Sequence, residues 1–106
     1  MSEPTPADEL TAAADLLEAL AKKAQHDLDA KDYWSGYDKA TAWRDGFTNG
    51  MGGICSELVG AIPPTAVLEL ARWLRAEARR MATTAHPYWQ DTVSPHALAL
   101  ARALTP

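Results

Sequence analysis

Apolar residues recur every three or four positions along most of this chain, a rhythm that predicts helices and leaves little room for strands. In the first third, Leu10, Ala13, Leu17, Leu20, Ala24 and Leu28 form one stripe. Thr5 stands where an N-cap belongs and Pro6 suits the first helical position. Asp8 and Glu9 complement the positive end of the helix dipole. The pattern predicts a first helix ending at about residue 30. Asp29 to Asp32 then reads as a tight polar corner, with Asp32 or Ser35 as the next cap.

A second stripe starts at Tyr33 and steps through Tyr37, Ala40, Arg44, Phe47, Met51, Ile54, Leu58 and Ile62. Its spacing is helical, yet five of the six glycines crowd into its later part, from residue 46 to 60: Gly46, Gly50, Gly52, Gly53 and Gly60. A glycine inside a helix costs about 1 kcal/mol relative to alanine, so an unbroken helix would lose about 4 to 5 kcal/mol, near the lower end of a domain's stability. Two arrangements relieve this. Gly50 to Gly53 can break the segment into two helices, which the cluster with Asn49 favours. Otherwise the helix continues, and Gly46, Gly50, Gly53 and Gly60 share a face with Glu57 as a smooth groove for another backbone.

Pro63 and Pro64 stop this segment. The next helix is expected from Pro64 or Thr65 to around Thr84, burying Val67, Leu70, Ala71, Leu74, Ala78 and Met81. His86, Pro87, Tyr88, Trp89 and Gln90 form an aromatic loop. Ser94 and Pro95 then open a short last helix with Leu98, Ala101 and Leu104 inward. The expected fold is therefore all-α, a compact bundle of four helices, or five if the glycines interrupt the second, with short loops. It forms a single domain over residues 1–106, with residues 1–5 and 105–106 expected to fray.

Composition agrees with this and narrows the setting. The chain has 106 residues, enough for one core without a disulfide or metal. Cys55 is the sole cysteine and cannot form an internal disulfide. The chain opens with no leader-like segment, so a cytoplasmic location is expected. No apolar run approaches the length needed to cross a bilayer, and no membrane partner is expected. Net charge is −4, unevenly spread. Residues 1–45 hold ten acids against five bases, and residues 46–106 hold four acids against five arginines. That balance disfavours a polyanion across the whole surface.

Candidate chemistry is sparse, and no family pattern is recognisable. Tyr33, Trp34, Tyr37, Trp43 and Phe47 crowd into fifteen residues, and a single helix cannot bury all of them on one face. Aromatic side chains that face outward are the ones that anchor protein contacts. The expected interface is therefore Trp34, Tyr37, Trp43 and Phe47, with Gly46, Gly50 and Gly53 permitting close approach. The leading expectation is a non-enzymatic interaction or regulatory module with an unidentified protein partner, self-associating as a homodimer and needing no cofactor. Small alanine-rich accessory proteins have this character.

Two other classes compete. A small-molecule or nucleotide binder or enzyme would use Asp45, Asn49 and Glu57 around the glycines. The stretch Asp45 to Gly53 does not match a phosphate loop, because no strand precedes it and no Lys-Ser or Lys-Thr follows it. A DNA-binding regulator would use the ridge Arg72, Arg75 and Arg79, which Glu69 and Glu77 interrupt. Metal chemistry has weaker support still. His26, His86, His96 and Cys55 show no ligand spacing. Asp27, Asp29 and Asp32 depart from a calcium loop because its glycine is missing. Asp15 and Glu18 give one carboxylate pair of the kind that holds magnesium in helical pyrophosphatases, but Asp38 and Asp45 are too far apart to give the second. No metal ligand is assigned.

Overall fold

The computed structural model describes residues 3–84, 86 and 89–105. Pro87 and Tyr88 of the expected aromatic loop and the extreme ends lie outside the described residues. The fold is all-helical, with no strand among the described residues. Among the described residues seven helices follow in order: α1 Pro6–Ala30, α2 Asp32–Ser35, α3 Ala42–Gly50, α4 Gly53–Gly60, α5 Pro64–Ala82, α6 Gln90–Val93 and α7 Pro95–Leu104. The two beyond the expected four or five are the single turns α2 and α6. Among the described residues no single helix is long and apolar enough to cross a membrane.

The chain divides into two compact units, Met1–Glu18 with Glu69–Pro106, and Ala19–Leu68. In the first unit most sequence signals hold, although Leu70 and Leu104, expected inside, are only half-buried. Thr5 accepts from the Asp8 backbone N–H through Oγ1 at 3.1 Å, and its own N–H donates to the Asp8 carboxylate at 3.0 Å. This reciprocal capping box fixes the start of α1. The Ala7 N–H, another donor that the helix itself cannot satisfy, donates to Oε1 of buried Gln90 at 3.2 Å. The aromatic loop therefore returns a polar side chain to cap α1. Leu10, Ala13, Ala14 and Leu17 of α1 are buried, as are Ala71, Leu74, Ala78 and Met81 of α5 and Ala97, Leu98 and Ala101 of α7. Alanines alternate with the larger side chains in this core. Its polar rim pairs Arg75 with Asp15 at 2.8 Å and Glu18 at 2.5 Å, and Arg102 with Glu9 at 3.1 Å.

The second unit departs from the pattern. The stripe from Tyr33 predicts one continuing helix, but α2 ends after one turn. Residues 36–41 turn instead: the Asp38 carboxylate accepts from the Ala40 N–H at 2.9 Å, and its carbonyl accepts from the Thr41 N–H at 3.0 Å. Glycine clustering marks the next break correctly. Gly52 and Gly53 have φ of +70° and +79°, backbone that a side chain resists, and α4 starts from this pivot. The four-glycine groove of a continuous helix is thereby excluded, because its members lie on two helices.

Gly52→Ala is expected to lower stability by about 1–3 kcal/mol, since φ of 70° with ψ of 176° is backbone that essentially only glycine adopts. Gly36 has φ of −81° and open space around its missing Cβ, so Gly36→Ala is expected to be neutral or mildly stabilising. Chemical denaturation of the two variants measures the difference.

Candidate interaction surface

The residues expected to form an interface are grouped within the second unit, but they mostly face each other. Trp34 and Trp43 stack with ring centroids 5.8 Å apart and planes at 13°. Phe47 meets Trp43 edge-on at 4.7 Å, and Tyr33 meets Trp34 edge-on at 4.9 Å. Edge and offset contacts of this kind add about 0.5–1.5 kcal/mol each beyond burial. Polar ends of the rings fasten backbone. The Tyr33 hydroxyl donates to the Gly46 carbonyl at 2.5 Å, and Trp43 Nε1–H donates to the Val59 carbonyl at 3.0 Å. Asn49 donates to the Tyr37 hydroxyl at 2.9 Å. The Tyr33 phenol titrates above its ordinary range, chiefly through desolvation and then through Tyr37 beside it.

These contacts also occupy two of the three glycines expected to face a partner. Gly46 is buried beneath Trp34, whose ring fills the space a Cβ would take. A Cβ on Gly50 would stand 2.6 Å from the Tyr33 hydroxyl oxygen. Gly53 has open space, but its positive φ makes it part of the pivot. Close approach does occur at Gly60, where a Cβ would lie 3.1 Å from the Arg44 Cα, so α3 and α4 nearly touch backbone to backbone. Beside Gly60 on the same face, Ser56 is completely buried, and its hydroxyl has no hydrogen-bond partner. That position is filled for its size rather than its polarity.

The consequence for α4 is an inversion. Small Ser56 and Gly60 are its buried residues, while Ile54 is 76% exposed, Leu58 66% and the preceding Met51 72%. Ile62 and Val59 are also exposed, and so is Cys55. At 100° per residue, Ile54 and Leu58 centre on the side of α4 opposite Ser56 and Gly60. Sequence reasoning included these residues in the stripe from Tyr33 but could not orient them. The signal was present: Ser56 and Gly60 lie four residues apart, and small residues at helical spacing mark a close helix contact.

The competing sites are arranged otherwise. Asn49 is bound to Tyr37, Asp45 lies 3.6 Å from Arg44, and Glu57 is exposed. A hollow of about 690 Å³ in this unit borders Trp34 and Tyr37, but none of Asp45, Asn49 and Glu57 lines it. Its charged lining is mixed, with Asp29 and Asp32 against Lys31 and Lys39. On α5, Arg72 pairs with Glu69, and Arg75 binds the two α1 carboxylates that resembled half a magnesium site. The Asp15 hydrogen bond is the main reason that the Arg75 guanidinium titrates above its usual range. Among the described residues no cluster of three metal-ligating side chains occurs.

No protein-family model matches this chain, and comparison with curated proteins and with solved structures gave no significant match.

Gly46→Ala tests whether the aromatic cluster holds this unit together. Alanine gains about 1 kcal/mol in helix propensity, but its methyl must displace a ring already stacked on Trp43. Overpacking of this kind costs about 1–3 kcal/mol. A net loss of about 1–2 kcal/mol is expected, with a change in tryptophan fluorescence, both read in one denaturation series.

Proposed function

We propose that this chain is a non-enzymatic contact module and that it binds a protein surface through the outward apolar face of α4. One observation carries the reading: α4 turns Ser56 and Gly60 inward and Ile54 and Leu58 outward. Water stabilises the opposite arrangement, in which an isolated surface helix hides its apolar stripe. Each large aliphatic side chain left in water forgoes about 1.5–3 kcal/mol of burial. A contiguous patch of such side chains is the usual mark of a contact site. Trp34, Tyr37, Trp43 and Phe47 then act as scaffold for the face rather than as its anchors, by fixing α3 and, through the Trp43 indole N–H, donating to the Val59 carbonyl.

The other two readings draw less support. A ligand site built on Asp45, Asn49 and Glu57 would need them around one hollow, and none of them lines the hollow of this unit, while Asn49 is bound to Tyr37. A phosphate-tracking ridge would need unpaired arginines, and Arg72 and Arg75 face carboxylates of this chain.

The test separates a contact face from a core face. The double variant Ile54→Glu/Leu58→Glu, denatured at about 1 µM chain, is expected to keep its stability within about 0.5 kcal/mol, as surface substitutions do. Its binding of an apolar dye is expected to fall. A loss of several kcal/mol would mean that the rest of the chain covers these residues, and the reading would fail.

A further inference from the structure

Resting on the contact-module reading, we infer that the partner on the α4 face is a second copy of this chain, with the two α4 helices meeting across a two-fold axis. Four observations lead there: the makeup of the second unit, the composition of the face, its extent and the absence of basic residues.

The second unit has a thin interior. Its fully buried residues are Ala21, Ala42, Gly46, Ser56, Gly60 and Pro64, all small; Leu28, Val67 and Leu68 are half-buried, and Met51, Ile54, Leu58, Val59 and Ile62 are exposed. In contrast, the first unit fully buries Leu10, Leu74 and Met81. The second unit therefore has an outward half-core awaiting a match.

The face carries no charge. Ile54, Cys55 and Leu58 line it within α4, exposed Met51 and Ile62 stand just before and just after this helix, and Glu57 is the only charged residue of α4, set to the flank. A two-fold contact places each stretch against itself, so any charge on the seam would meet its own sign; this seam has none. Its makeup is that of a homodimer interface, which is more apolar than the contact between independent partners. Contacts between different proteins draw their specificity from complementary charge, which is missing here.

The extent is sufficient for a pair and small for anything less. Burial of a large aliphatic side chain removes about 60–120 Å² from water, so Met51, Ile54, Leu58 and Ile62 with the smaller Cys55 offer up to about 500 Å² per copy. Two copies bury up to about 1,000 Å², the threshold of a specific interface. A lipid surface fits less well. Helices that lie on membranes carry Lys and Arg on the polar side, whereas α4 carries Glu57 and no basic residue.

Sedimentation velocity of the full chain from 1 to 500 µM is the test. A concentration-dependent monomer–dimer equilibrium is expected, with dissociation in the micromolar range. Ile54→Glu/Leu58→Glu should weaken it at least 30-fold, in the range of central interface residues. Leu20→Glu, at an exposed leucine of α1, should leave it unchanged. Cys55→Arg gives a second, independent disruption on the same face should the double variant unfold. A bismaleimide linker should join two Cys55 thiols in the wild type. A wild type monomeric at 500 µM, or a dimer that persists in both face variants, would overturn the second copy as partner. A monomeric wild type with a stable double variant leaves the contact-module reading standing. An unstable double variant removes that reading, and the sedimentation of Cys55→Arg still decides the pairing.

Discussion

The nearness of α3 and α4 is the constraint from which the rest of the second unit follows. At Gly60 a Cβ would lie 3.1 Å from the Arg44 Cα, and beside it Ser56 is buried without a partner for its hydroxyl. Only small residues fit between the helices, so α4 must turn its small side inward. The Trp43 indole N–H locks that rotation by donating to the Val59 carbonyl. Once the rotation is set, 3.6-residue periodicity leaves Ile54 and Leu58 no choice but to face out. Exposure of the apolar side is thus a consequence of backbone packing and not a separate feature.

The two units show two ways of using alanine and glycine. In the first, alanines at Ala13, Ala14, Ala71, Ala78, Ala97 and Ala101 let helices approach while leucine and methionine fill the interior. Its polar ends are finished by the Thr5 and Asp8 capping box and by Gln90. In the second, glycine permits the crossing and no large aliphatic side chain is fully buried. The aromatic cluster substitutes for that interior, ring on ring, with Tyr33 and Trp43 hydrogen-bonded to backbone carbonyls. A unit stabilised in this way has a rigid scaffold and an unmatched apolar side.

What the sequence made legible divides along the same line. The start of α1 was readable because Thr5, Pro6 and Asp8 are strong local signals. The α5 boundary was readable because Pro63 and Pro64 allow one solution. The break at Gly52 was readable from energy, since about 4–5 kcal/mol of glycine in one helix has to be relieved. The turn at residues 36–41 was missed because the stripe of Tyr33, Tyr37 and Ala40 keeps helical spacing across it. The Asx turn at Asp38 outweighed that periodicity. The site was half legible. Aromatic residues and glycines were correctly joined in one region, but their partners proved to be one another. Periodicity marks which residues share a face and cannot tell which way the face turns; that depended on Ser56 and Gly60, whose size matters only once α3 is beside them.

The outward rotation of α4 is the central claim, and solvent paramagnetic relaxation of methyl groups tests it directly. With an inert gadolinium chelate added to dilute monomer, the Ile54 and Leu58 methyls should relax strongly, while those of Leu10 and Leu74 in the buried core stay protected. Protection of Ile54 and Leu58 equal to that of Leu10 and Leu74 would contradict the account.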